Sequence, residues 1–148
     1  MNDVVVHDAN FGRWWFRLEN HILKLLLRSG LKLGTTYILS VKGRKTGAAH
    51  STPVVIVETD GKRYLVAPYG PVNWVRNARA AGTVNLTRGG QSETLHLVEV
   101  EPEESGPILK KYLGIASATR RYFHAKPDSP VEDFVAEAPG HPVFRLVA

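Results

Sequence analysis

Hydrophobic residues change their spacing along this chain, and the changes divide it into elements. From Phe11 they recur at helical spacing, as Phe11, Trp15, Leu18, Ile22, Leu25 and Leu26, after Asn10 as N-cap and before the stop at Ser29-Gly30. Arg13, Arg17, Lys24 and Arg28 fall together on the opposite side of that helix. Beyond it the period drops to two. Thr35 to Val41 reads as a strand with Tyr37, Leu39 and Val41 on one face, Thr52 to Glu58 as a second, and Lys62 to Ala67 as a third. Asp60-Gly61 joins the second to the third as a tight hairpin, and Pro68-Tyr69-Gly70-Pro71 ends the third. A short helix follows from Asn73, its cap, to Gly82, its stop, and then a hairpin of Thr83 to Arg88 and Ser92 to Glu101 around Gly89-Gly90. From Pro102 to Gly114 the pattern is helical again. Ile115 to His124 continues it, Pro130 to Ala138 is a short helix with Pro130 at its first position, and Val143 to Val147 is a closing strand.

Six short strands joined largely by hairpins, with helices before, among and after them, predict a mainly β, α+β fold built on a small antiparallel barrel. Residues 1–30 form the N-terminal amphipathic helix and 31–148 a single barrel domain on this reading. Barrels this small have packed interiors, so a ligand binds in an outer groove, at a mouth or between subunits, and a homodimer is expected.

Composition narrows the function. The 148 residues include no cysteine, which excludes disulfides, thiolate metal sites and cysteine nucleophiles. The N-terminus carries no secretory pattern and no window is apolar enough to span a bilayer, so a cytoplasmic protein is expected. Charge is uneven: residues 1–98 hold 13 Lys or Arg against 6 Asp or Glu. That surplus calls for an anionic partner. The helix from Phe11 to Arg28 offers one candidate, because aromatic and Leu residues opposite clustered cations suit peripheral contact with an anionic cytoplasmic leaflet; packing on the barrel is the other reading of the same face. Nucleic acid is not expected, since no strand interleaves aromatics with cations.

The chemistry concentrates in two segments. Gly43-Arg44-Lys45-Thr46-Gly47 precedes His50 and Thr52-Pro53-Val54-Val55, and about 25 residues later comes Asn73-Trp74-Val75-Arg76-Asn77. Two glycines flanking two cations and a hydroxyl can present backbone N–H groups with Arg44 and Lys45 to an anion. It is not a Walker loop, because the turn joins two strands and its lysine precedes the second glycine.

With Gly-Arg-Lys-Thr-Gly, Thr-Pro-Val-Val and Trp-x-x-Asn together, the chain resembles the deazaflavin (coenzyme F420)-dependent nitroreductase family, a branch of the split β-barrel flavin and deazaflavin oxidoreductases. The resemblance runs from about Thr35 to Glu101. It implies a split barrel that binds F420, with hydride passed to an electron-poor acceptor such as a quinone, a nitro compound or an activated alkene. It implicates Gly43, Arg44, Lys45, Thr46, Pro53, Val54 and Val55 in holding the phosphate-bearing tail and the ring edge. His50 joins them where the family often has an arginine. Ala67, Pro68, Tyr69 and Gly70 come from the loop after the third strand, and Trp74 and Asn77 from the helix. The chain departs from the family in a short loop at Pro68 to Val72 and in Phe134 where a tyrosine is expected.

Tyr69 and Tyr122 are the candidate catalytic proton donors, with Tyr112 a further one. No metal site is expected, since the six histidines show no ligand spacing. Two rivals stay open: FMN or FAD in the same barrel, and a lipid-binding module without catalysis.

Overall fold

The computed structural model describes residues 36–148. The predicted helix from Phe11, the peripheral membrane contact drawn from it and the boundary at residue 30 lie outside the described residues. Six strands form a closed antiparallel barrel: β1 (Thr36–Lys42), β2 (Ala49–Thr59), β3 (Lys62–Val66), β4 (Thr83–Arg88), β5 (Gln91–Glu99) and β6 (Val143–Val147). Their order around it is β1-β2-β3-β6-β5-β4, with β1 and β4 closing the ring. The mainly β, split-barrel expectation is borne out.

Strand alternation explains the core. Tyr37, Leu39 and Val41 share one face of β1, as predicted, and pack inside the barrel with Ile56, Leu65, Leu86 and Phe144. Helix α1 (Asn73–Ala81) closes one end. Its Val75 and Ala78 are fully buried in that interior, and the Trp74 ring lies 6.4 Å from Phe144.

A second layer covers the outside. Val55, Val57, Tyr64 and Val66 alternate outward from β2 and β3 and are buried under α2 (Pro102–Ile115) and α3 (Val131–Glu137), through Leu109, Leu113 and Phe134. Because β2 is buried on both faces from Val54 to Val57, its sequence is a continuous apolar run with no alternation. Burying each such side chain contributes about 1.5–3 kcal/mol. The two helices touch closely at Gly106, where an added Cβ would fall 2.5 Å from Val135 Cγ2. A glycine inside a helix costs about 0.5–1 kcal/mol relative to alanine, and here close packing requires it.

Four local expectations are corrected. β2 starts at Ala49, three residues before Thr52, because its ladder with β1 runs through Val41↔His50 to Lys42↔Ala49. Asn73 is the first helical residue of α1 and the cap is Val72, whose carbonyl accepts the amides of Val75 and Arg76. Pro130 likewise caps α3 from outside. Ile115 to His124 does not continue as an α-helix: α2 ends at Ile115 and a 3-10 helix spans Ser117–Tyr122. Side chains make that break possible, since Thr119 Oγ1 donates to the Ala116 carbonyl and Arg120 Nε to that of Leu113, satisfying carbonyls the helix end leaves open.

Candidate functional site

The two sequence segments meet at the barrel end that α1 closes. Asn77 is buried, and its Oδ1 accepts both the Arg44 amide (3.1 Å) and the Arg44 guanidinium Nη1 (2.7 Å). The basic turn and the Trp-x-x-Asn helix are thereby one unit. Thirty-three residues of chain separate these partners.

Most of the turn's backbone is already committed. Gly43 N–H donates to the Ala48 carbonyl, Gly47 N–H to that of Gly43, and Ala48 N–H to Thr46 Oγ1. Arg44's amide goes to Asn77. Among the described residues only the amides of Lys45 and Thr46 stay open here, which narrows the anion-binding backbone expected from the sequence. Gly43 is required by close approach: a Cβ there would sit 3.0 Å from both the Ala48 carbonyl and the His50 ring. His50, paired with Val41, thus lies over the base of the turn.

Among the described residues the charge here is uncompensated. Lys42, Arg44, Lys45 and Arg76 are exposed, and none takes part in the ion pairs of the described residues, which join Arg63 to Glu93, Arg79 to Glu99, His141 to Glu137 and Arg145 to Glu104. An anion is the natural complement.

Beside the turn runs an open strand edge. The β2–β3 ladder ends at Ile56↔Leu65, so toward Ala49 β2 pairs with β1 alone among the described strands. The hairpin turn at Asp60-Gly61 has positive φ at both residues (52° and 73°), the two-residue type that closes on Thr59↔Lys62. Counting back from that pair, Ser51 and Pro53 aim their backbone polar groups at the open edge. Pro53 is tolerated there because it donates no N–H. Ser51 Oγ is buried without a hydrogen-bond partner. Val54 faces the interior and Val55 the outer layer, both buried, so their side chains are spent on packing.

The loop after β3 lies at the same end. Ala67 and Pro68 are buried, and Gly70, at φ 88°, packs toward the Gly140 carbonyl. Tyr69 is 55% exposed and Tyr122 45%, and their rings meet edge to face at 4.6 Å. The structure therefore joins the two tyrosines that the sequence offered separately. Tyr112 is different: it is buried, burial pushes its hydroxyl pKa up, and a hydrogen bond with Thr119 opposes this only weakly, so it is a packing residue. Phe134, fully buried in the outer layer, does not reach this surface.

Two residues absent from the sequence reading belong to the same neighbourhood. His141 is buried, with Nδ1 2.8 Å from the Pro68 carbonyl and Nε2 2.9 Å from Glu137 Oε2, and its ring stacks on Phe123 at 3.9 Å. Glu137 also accepts the amides of His124 and Ala125. Only the neighbouring Gly-His-Pro sequence marks the spot, and it carries no motif. Burial pushes the Glu137 carboxyl up, but the Ala125 and His124 amides and the His141 ring outweigh it and hold the pKa below the ordinary value. A depressed carboxylate stabilises the fold above its unfolded pKa, about 4.3, and that contribution is lost as pH falls through the folded value. Glu137→Gln is accordingly expected to cost about 1–3 kcal/mol at neutral pH and to flatten the acid limb below about pH 4. Urea unfolding of both proteins across that range measures it.

No curated protein matches the sequence significantly. Among solved structures, an F420-H2 dependent reductase, FDR-A, superposes with a TM-score of 0.51 at 21% identity, over 76% of this chain and 93% of that one. A domain-swapped dimer gives 0.53 at 21% identity over 90% and 97%. A NimC/NimA family protein from Clostridium acetobutylicum gives 0.50 at 12% over 80% and 78%. At these identities the likeness is one of fold. No helix of the described residues is long and apolar enough to cross a membrane. The sequence itself, over residues 14–132, matches the F420H(2)-dependent quinone reductase family, and the chain belongs to that family of oxidoreductases.

Proposed function

We propose that the protein binds F420 along the open edge of β2 and reduces a quinone-type acceptor at the Tyr69–Tyr122 surface. The observation that carries this reading is the Arg44–Asn77 junction, which fixes Arg44, with Lys45 next to it, beside a strand edge that no other described strand pairs. The donor set fits the coenzyme: cations for its phosphodiester and glutamate tail, and an orphaned buried hydroxyl at Ser51. When bound, the coenzyme supplies the hydride chemistry, and the chain supplies position. Arg44, Lys45 and the open amides of Lys45 and Thr46 hold the tail; Gly43 and His50 shape its seat. Pro53 and the backbone at Val54 and Val55 edge the ring, with Ala67, Pro68 and Gly70 across from them. Trp74 forms the wall against Phe144. Tyr69 and Tyr122 face the acceptor, where either hydroxyl can deliver the proton that accompanies hydride.

Titrating the protein with F420 beside FMN, followed by tryptophan and cofactor fluorescence, tests the cofactor. Saturable F420 binding about tenfold tighter than FMN is expected, a difference of about 1.4 kcal/mol. FMN binding alone would move the protein to a flavin reaction, and binding of neither would overturn the reading. Steady-state reduction of a water-soluble benzoquinone, a nitroimidazole and an activated enone by the loaded protein then orders the acceptors, with the quinone expected first.

A further inference from the structure

We infer that His141 is the positioning residue for the Tyr69–Tyr122 pair, setting the acceptor surface from behind; the inference rests on the proposed function for its catalytic consequence. Both tyrosines are too exposed for their own packing to fix them. Among the described residues, the Tyr122 hydroxyl takes a hydrogen bond only from its exposed neighbour Arg121, at 3.2 Å. What determines where the rings meet is the backbone on either side.

His141 grips both arms. The residue before Tyr69 is Pro68, whose carbonyl lies 2.8 Å from His141 Nδ1. The residue after Tyr122 is Phe123, whose ring stacks on the imidazole at 3.9 Å and 16°. The two amides that follow, of His124 and Ala125, close on Glu137, which also meets His141 Nε2. One buried ring thus touches the loop after β3, which carries Tyr69, and Phe123, which directly follows Tyr122 at the end of the 3-10 helix. Partner chemistry fixes the proton: the Pro68 carbonyl can only accept, so Nδ1 donates. A loss of that bond leaves the barrel intact and removes the one hydrogen bond that holds Pro68 itself: among the described residues the loop's other ties run from Ala67 N–H to the Pro142 carbonyl (2.8 Å), from Gly70 N–H to the Ala67 carbonyl (3.4 Å) and from Val72 N–H to the Gly70 carbonyl (2.8 Å), and none of them joins Pro68 or Tyr69.

Two conservative variants separate positioning from mere packing. In His141→Asn the side-chain amide reaches the Nδ1 place and can donate to Pro68. In His141→Gln it reaches the Nε2 place and can pair only with Glu137. The first readout needs no cofactor: fluorine NMR of protein carrying meta-fluorotyrosine, with Tyr69 and Tyr122 assigned through Tyr69→Phe and Tyr122→Phe. The Asn variant is expected to keep the ring-shifted Tyr69 resonance, and the Gln variant to move it to the position of a free tyrosine. In turnover, the Asn variant is expected within about threefold of wild type, while Gln lowers kcat by on the order of 10- to 100-fold with F420 affinity changed less than about twofold. A Gln variant with wild-type Tyr69 resonance and kcat overturns the inference. Should both variants fail to fold, wild-type protein with isotope-labelled histidine decides: a His141 Nδ1–H protected from exchange supports the inference, and a freely exchanging one overturns it. If wild-type protein does not bind F420, the proposed function falls while the tyrosine resonances still judge the role of His141.

Discussion

Alanine at both Arg44 and Lys45 is expected to weaken F420 binding about 100-fold, with the barrel still folded. Each cation would make a charge-assisted contact to the anionic tail, and such contacts contribute about 1.5–3 kcal/mol before solvent screening. Both side chains are exposed, so the lower end applies to each, and about 3 kcal/mol together corresponds to the hundredfold loss. Salt provides a second check. Screening shortens from a Debye length of about 10 Å at 0.1 M to about 3 Å at 1 M, so the gap between variant and wild type should narrow as salt rises. Asn77→Ala makes the contrast: it keeps both charges and removes only the acceptor that orients Arg44, so a loss of about tenfold with wild-type salt dependence is expected. Calorimetric titration at two ionic strengths distinguishes the cases. An alanine pair that binds F420 like wild type would remove the tail from this turn.

Phe134→Ala is expected to destabilise the protein by about 3–5 kcal/mol, the largest loss of any single substitution considered. Phe134 is, with Phe144, the largest fully buried side chain among the described residues, and it belongs to the outer-layer cluster that joins α3 to α2 and the outward face of β2 and β3. Removing the ring forfeits its transfer from water and leaves a cavity that the close α2–α3 contact at Gly106 cannot collapse to fill. At about 2–4 °C per kcal/mol for a chain of this size, the melting temperature should fall by roughly 10 °C. F420 affinity of the folded fraction should change little, because the residue lies in the outer layer. A fall in melting temperature of a degree or two would mean that α3 is held mainly by its polar end, through Glu137 and His141.

The strands were legible because their patterns are local. Tyr37, Leu39 and Val41 alternate, Asp60-Gly61 and Gly89-Gly90 mark turns, and β2 announces itself by an unbroken apolar run. The errors fall where a distant partner sets the boundary. Asn73 looks like a cap, yet the helix phase is fixed by Trp74 on Phe144 and Asn77 on Arg44, neither visible within the local window. Residues 115–124 have helical composition, but Thr119 and Arg120 spend their side chains on the end of α2. The site divides the same way. Gly43 to Gly47 and Trp74-x-x-Asn77 were readable as motifs, and their physical union was not. His141 and Glu137 escaped altogether, because an isolated histidine in a Gly-His-Pro segment gains meaning only from Pro68, 73 residues earlier.

The position of β6 between β3 and β5 dictates how the protein must be made. As the chain leaves the ribosome, five strands can assemble from either side, yet they leave two strand edges, on β3 and β5, whose backbone N–H and C=O groups have no mate until residues 143–147 have been synthesised. Unpaired strand rims recruit other chains, so the nascent protein passes through a long sticky interval that a hairpin-only barrel would avoid. Closing the ring also requires a contact between residues as far apart in sequence as Arg63 and Leu146, which makes the final step slow and dependent on every earlier one. A stop codon a few residues before Val147 would therefore yield an open sheet prone to clumping, and chaperone capture during synthesis should concentrate in the interval just before β6 emerges.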